Sequence, residues 1–147
     1  MTANSPEDGP DTAHRRPHGV DDLTVEAVGK LSEALETVER ARGHLYSFHQ
    51  LTGSADFDLG SAADLFDKAG HTGIAQRLRT ELVGRNVLPG RWTFQIVEEY
   101  DEDYYARVRA AEQAARDELL QGRRHVYESE MKEARRTRGA EGHEARP

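Results

Sequence analysis

Two long stretches of this chain carry apolar residues three and four positions apart, and no stretch alternates apolar with polar. That pairing of facts most constrains what the chain can fold into. Val28, Leu31, Leu35, Val38 and Leu45 form one stripe, with Phe48 beside it, and Phe94, Val97, Tyr104, Val108, Ala111 and Ala115 form the other. Such spacing gathers side chains on one face of a helix, whereas a half-buried strand needs period two. The sequence therefore predicts an all-α fold, a helical bundle of two long and two to three short helices.

Punctuation residues divide the bundle. Asp21 or Asp22 supplies an N-cap for the first long helix, and Thr52-Gly53-Ser54 is expected to end it. Gly29 and Gly43 each weaken its interior by about 1 kcal/mol, so they mark close packing or a bend. Ser61 followed by Asp64 is close to a capping box and opens a short helix to Ala69. A second short helix is expected from Thr72 to Gly84. Pro89-Gly90 makes a turn, a long helix runs from Trp92 to Gln121, and Gly122 breaks it before a last helix over 123–136. Residues 1–20 hold Pro6, Pro10 and Pro17 among scattered charge and read as a disordered tail, as do residues 137–147. One domain over residues 21–136 is left between them.

The chain has no cysteine, which fits a reducing cytoplasm and removes thiolate chemistry. Its formal charge of −7 argues against a nucleic-acid partner. No apolar run approaches the ~18 residues of a membrane span, and the first residues do not read as a signal peptide.

The densest chemistry lies in residues 91–105. This segment holds the only Trp, three of the five Tyr, and five carboxylates within positions 98–103. A solvated helix face does not need so much aromatic surface beside so much charge, so something is expected to pack against it. The two long stripes are also interrupted by polar residues at corresponding places. Laid antiparallel, Arg42 faces Asp101 and His49 faces Phe94. A seam Arg–Asp pair would fix register and direction with little net gain in stability. The same end of the bundle would suit a polar ligand pocket built from Arg42, His49, Arg91, Trp92, Glu98, Asp101 and Tyr104.

A metal centre is the sharper alternative. His49, Glu98, Asp101, His125 and Glu128 supply imidazole and carboxylate ligands for a divalent transition metal, with His125 and Glu128 one helical turn apart. Ferritin-like bundles use paired Glu-x-x-His motifs. Here the order is reversed and occurs once. Arg77, Arg79, Arg85 and Arg91 could clamp an anion, yet they serve equally to neutralise the acidic run that follows. No phosphate loop, nucleophile elbow or zincin pair is present.

Residues 81–95 (Glu-Leu-Val-Gly-Arg-Asn-Val-Leu-Pro-Gly-Arg-Trp-Thr-Phe-Gln) together with Gly122-Arg123-Arg124-His125-Val126-Tyr127-Glu128 resemble a family of small actinobacterial helical proteins of no known activity. The resemblance spans about residues 24–136. It implies a bacterial cytosolic protein and brings no activity, cofactor or site residue with it. The residues themselves point to a non-catalytic interaction or ligand-sensing module that uses segment 91–105, needs no cofactor and works as a homodimer with a protein or small-molecule partner. The alternative is a metal-dependent helical-bundle enzyme, an oxidoreductase built on the His/carboxylate set.

Overall fold

Asp21 opens the first helix as expected, its carboxylate accepting the Thr24 N–H at 2.8 Å. In the computed structural model, which describes residues 8–147, the chain is all-α. Helix α1 spans Asp22–Lys68, α2 Thr72–Glu81 and α3 Thr93–Tyr100. A π-helical turn over Asp101–Tyr105 continues α3 directly into α4, Ala106–Leu120, and α5 covers Val126–Arg135. No helix among the described residues is long and apolar enough to cross a membrane.

The stop expected at Thr52-Gly53-Ser54 does not occur, and α1 is one helix of 47 residues. The first stripe does not end at His49. It runs on in phase through Thr52, Asp56, Leu59, Ala63 and Phe66, all shielded from solvent to some degree and Ala63 completely. Tertiary burial of that face outweighs the propensity cost of one glycine. Ser61 and Asp64 consequently sit inside the helix and cap nothing. The true end is at Gly70, in left-handed conformation (φ +88°), where the His71 N–H reaches back to the Phe66 carbonyl at 2.8 Å.

The chain gathers into two compact units. One joins the segment up to Thr37 with Arg107–Pro147, and the other is Val38–Ala106. The first unit has an apolar core of Val25, Val28, Leu120 and Val126, with Val20 against it. Beside this core lie two buried charges, Glu112 and Arg116. Arg116 Nε donates to Glu112 Oε1 at 2.7 Å, Ser32 Oγ donates to the same oxygen at 3.0 Å, and Arg116 Nη1 donates to the Gly122 carbonyl at 3.1 Å. The pair is satisfied, as a buried ion pair must be. Gln121 and Gly122, both with positive φ, turn the chain into α5.

Of the tails expected over residues 1–20 and 137–147, residues 1–7 lie outside those described, and the rest carry charged contacts. Arg16 forks onto Glu130 at 2.8 and 3.0 Å and also donates to Asp22. Ser129 Oγ donates to the His14 carbonyl at 2.6 Å. Arg136 grips Glu133 and Asp8, holding both carboxyls below their ordinary range. Arg146 Nε donates to the Gly9 carbonyl at 2.9 Å. The contacts of these segments are charged forks, their apolar content being low.

Gly29 is the glycine that packing requires. A Cβ there would stand 2.8 Å from Cβ and Cγ of Tyr127 on α5, whereas one at Gly43 or Gly53 would meet nothing within 4 Å. Gly29→Ala is therefore expected to destabilise the chain by about 1–3 kcal/mol. Gly53→Ala should stabilise it by up to about 1 kcal/mol. Urea denaturation of the two variants checks this, and equal signs would show that α5 does not seat on Gly29.

Candidate ligand-binding cleft

In the unit Val38–Ala106 the long helix supplies the floor. Arg79 ties α2 back onto it, donating to Asp64 at 2.7 Å and to Asp67, while Ala75 is wholly buried. After α2 the chain turns at Gly84 (φ +75°), whose N–H donates to Asp56 Oδ1 on α1 at 2.7 Å. The expected Pro89-Gly90 turn is present, with the Arg91 N–H bonded to the Leu88 carbonyl at 3.3 Å. Trp92 then caps α3 with extended backbone, its N–H donating to Gln95 Oε1 at 3.0 Å and its carbonyl accepting the Gln95 N–H at 3.1 Å. His49 Nδ1 and Thr93 Oγ1, 2.7 Å apart, clasp the start of α3 to α1.

Between the two clasps, Asp56–Gly84 and His49–Thr93, lies a cleft of about 670 Å³. Its walls include Ala55 and Leu59 of α1, Leu82 and Val87 of the connecting segment, and Trp92 with Phe94. The two aromatic rings lie 5.0 Å apart, tilted, and Trp92 keeps 56% of its surface in water. The charged side chains at the wall are Asp56, already accepting from Gly84, and Arg85. Ligand sites of this kind typically measure ~300–1,000 Å³ and combine apolar walls with a few fixed polar groups.

About two helical turns beyond the His49–Thr93 clasp lies a charged contact between the same helices. Arg42 forks onto Asp101, Nε to Oδ1 at 2.6 Å and Nη2 to Oδ2 at 3.0 Å. Its guanidinium carbon lies 5.3 Å from the Tyr105 ring centroid and 5.6 Å from that of Tyr46, and Tyr105 Oη donates to Glu39 at 2.6 Å. The seam pair expected from the sequence is thus present. It is half-buried, with 32% and 30% of the two side chains exposed, so solvent screens it more than the seam argument assumed. The Arg42 bond holds the Asp101 carboxyl below the ordinary aspartate range, and Asp101 in turn raises the Arg42 guanidinium.

His49 meets Thr93 rather than Phe94, because α3 begins at Thr93 and turns Phe94 toward the cleft. The other residues singled out in the sequence scatter. Arg91 pairs with Glu99 at 2.9 Å, Glu98 is exposed, and Tyr104 is exposed with its ring 5.8 Å from Tyr100. His125 and Glu128 sit at the start of α5 in the other unit, His125 as its N-cap with φ 56°. Among the described residues no three His, Cys, Asp or Glu side chains gather so as to hold a metal ion. The metal reading of His49, Glu98, Asp101, His125 and Glu128 therefore lacks its geometry, since Asp101 is occupied by Arg42 and His49 by Thr93. Leu59, Leu82 and Val87 were missed as site residues, though the phase of the α1 stripe at Thr52, Asp56 and Leu59 carried the signal.

Comparison with known protein families, with curated proteins and with solved structures returns no match.

The fork predicts a measurable coupling. Arg42→Ala and Asp101→Asn should each lower the melting temperature by a few degrees, and together by less than their sum. Asp101 is lowered on folding, so its contribution is complete above the unfolded value of about 3.9 and fades as pH falls through the folded value. Asp101→Asn should accordingly show a shallower loss of stability below about pH 4 than the parent. Additive losses with an unchanged acid slope would show that the two groups do not couple.

Proposed function

We propose that this chain is a non-catalytic bacterial cytosolic interaction module, homodimeric, that takes an apolar side chain or small apolar ligand into the cleft at Trp92 and Phe94. The observation that carries this reading is the cleft itself: apolar walls, held open by two short polar clasps to α1. The titratable groups at its wall are spent on structure or solvated, as Asp56 is by Gly84, which favours burial of a ligand over bond-making there. The resemblance of residues 81–95 and 122–128 to small actinobacterial helical proteins supports the bacterial setting, and the lack of cysteine a reducing one. The acidic run Glu98–Asp103 beside the aromatic rim favours partners that bring positive charge next to their apolar anchor.

Because Trp92 is the only tryptophan, its emission reports on the cleft. Anilinonaphthalene sulfonate, an apolar probe, should quench Trp92 while gaining its own fluorescence. A charge in the wall, Val87→Asp, is expected to weaken this binding by about tenfold or more, since a carboxylate there must be desolvated. Leu23→Asp, at an exposed apolar residue outside the cleft, should leave it unchanged. Equal losses from both substitutions would reject the cleft as the binding site.

A further inference from the structure

Beyond residue 49, α1 is apolar on two faces. Thr52, Asp56, Leu59 and Ala63 point inward, and the opposite face carries Leu51, Phe57 and Leu65, which are 68%, 80% and 64% exposed. With Tyr46, 43% exposed, these side chains leave roughly 500 Å² in water at ~150–250 Å² per large side chain. That is about the largest apolar patch a monomer keeps, and such patches are often functional.

Counted outward from Ser54, the side chains of this face pair large with large, small with small, and then glycine with leucine. Leu51 and Phe57 stand three residues to either side, Ser47 and Ser61 seven, Gly43 and Leu65 eleven. Offsets of three, seven and eleven all return to one face of an α-helix. We infer that this face is the homodimer interface, two copies of α1 crossing antiparallel on a two-fold axis at Ser54. This specifies the surface for the dimeric reading above and rests on that reading.

In that register Leu51 meets the partner's Phe57, the partner's Leu65 covers Gly43, and serine faces serine between them. A two-fold interface demands such reciprocity, residue i on j and j on i, and an unrelated partner does not. Gln50 and Asp58, four residues from the axis, are brought together as amide donor and carboxylate acceptor. The seam ends fourteen residues out, where Arg40 and Lys68 would place like charges opposite each other. Two such patches remove roughly 1,000 Å² from water, the size that a specific interface clears. Small residues at the crossing allow an interaxial distance of about 8–10 Å, and with a Cα radius of ~2.3 Å the two Ser54 Cα atoms then stand about 3.4–5.4 Å apart. That overlaps the ~4.4–6.8 Å a disulfide spans.

The chain contains no cysteine, so introduced thiols report cleanly. Ser54→Cys should form a disulfide-linked dimer on mild oxidation. Ser47→Cys alone should not, whereas the double variant Ser47→Cys/Ser61→Cys should. By light scattering the parent should have the dimer mass at micromolar concentration. Leu51→Glu and Phe57→Glu should weaken the dimer by about tenfold or more with an unchanged helical spectrum, both side chains being exposed within the single chain. A monomeric parent overturns this interface and the dimeric reading together. A dimeric parent whose Ser54→Cys variant fails to cross-link, or cross-links no better than Ser47→Cys, overturns this face alone. Probe binding at Trp92 that persists in the Glu variants shows the cleft reading to stand apart from either result.

Discussion

The unit Val38–Ala106 depends on the fork between Arg42 and Asp101. Its buried residues are Ala63, Ala75 and Val97, so it lacks a large, fully buried apolar side chain that could fix how its helices meet. Directional contacts do that work instead: Arg42 on Asp101, His49 with Thr93, Asp56 with Gly84, and Arg79 on Asp64 and Asp67. Burial is indifferent to a slip along a helix, whereas a two-pronged charged bond tolerates almost none. The other unit is built the ordinary way, on Val25, Val28, Leu120 and Val126, with the buried Glu112–Arg116 pair beside that core.

The π-helical turn follows from the same constraint. Val97, Asp101 and Tyr105 are four residues apart and all turn inward, while four residues of α-helix overshoot one turn by about 40°. A wider turn absorbs that drift and keeps Asp101 and Tyr105 on the Arg42 guanidinium at once. A scaffold held by polar clasps leaves apolar groups outside. Twelve of the sixteen large hydrophobic residues exposed among the described residues belong to this unit, among them Trp92, Phe94, Leu51 and Phe57. These are the groups that the proposed cleft and the proposed two-fold face would use.

Helix identity was legible in the sequence because period is a strong signal, and the two stripes even brought Arg42 to Asp101. What failed was phase beyond the midpoint of each stripe. Thr52-Gly53-Ser54 outweighed the continuing positions Asp56, Leu59 and Ala63, since turn chemistry is local and burial is not. On the second stripe a uniform 3–4 step selected Tyr104, Ala111 and Ala115. After the π turn Tyr105 and Glu112 are shielded in place of Tyr104 and Ala111, and Arg116 is buried beside the half-buried Ala115. Glu112 and Arg116 were unreadable as interior residues because only their mutual bond and Ser32 make burial tolerable. The contacts of residues 8–20 run through single arginines such as Arg16, which no periodicity announces.

The fork can be observed directly through the Arg42 Nε–H in a nitrogen-resolved NMR spectrum. A guanidinium proton held at 2.6 Å between Nε and Asp101 Oδ1 should exchange with water far more slowly than that of exposed Arg124 at the same pH. Exchange at least about tenfold slower is expected, the factor for an opening that costs ~1.4 kcal/mol, lost when acid protonates Asp101 below its ordinary range near 3.9. Equal exchange of the two arginines across the pH range would contradict it.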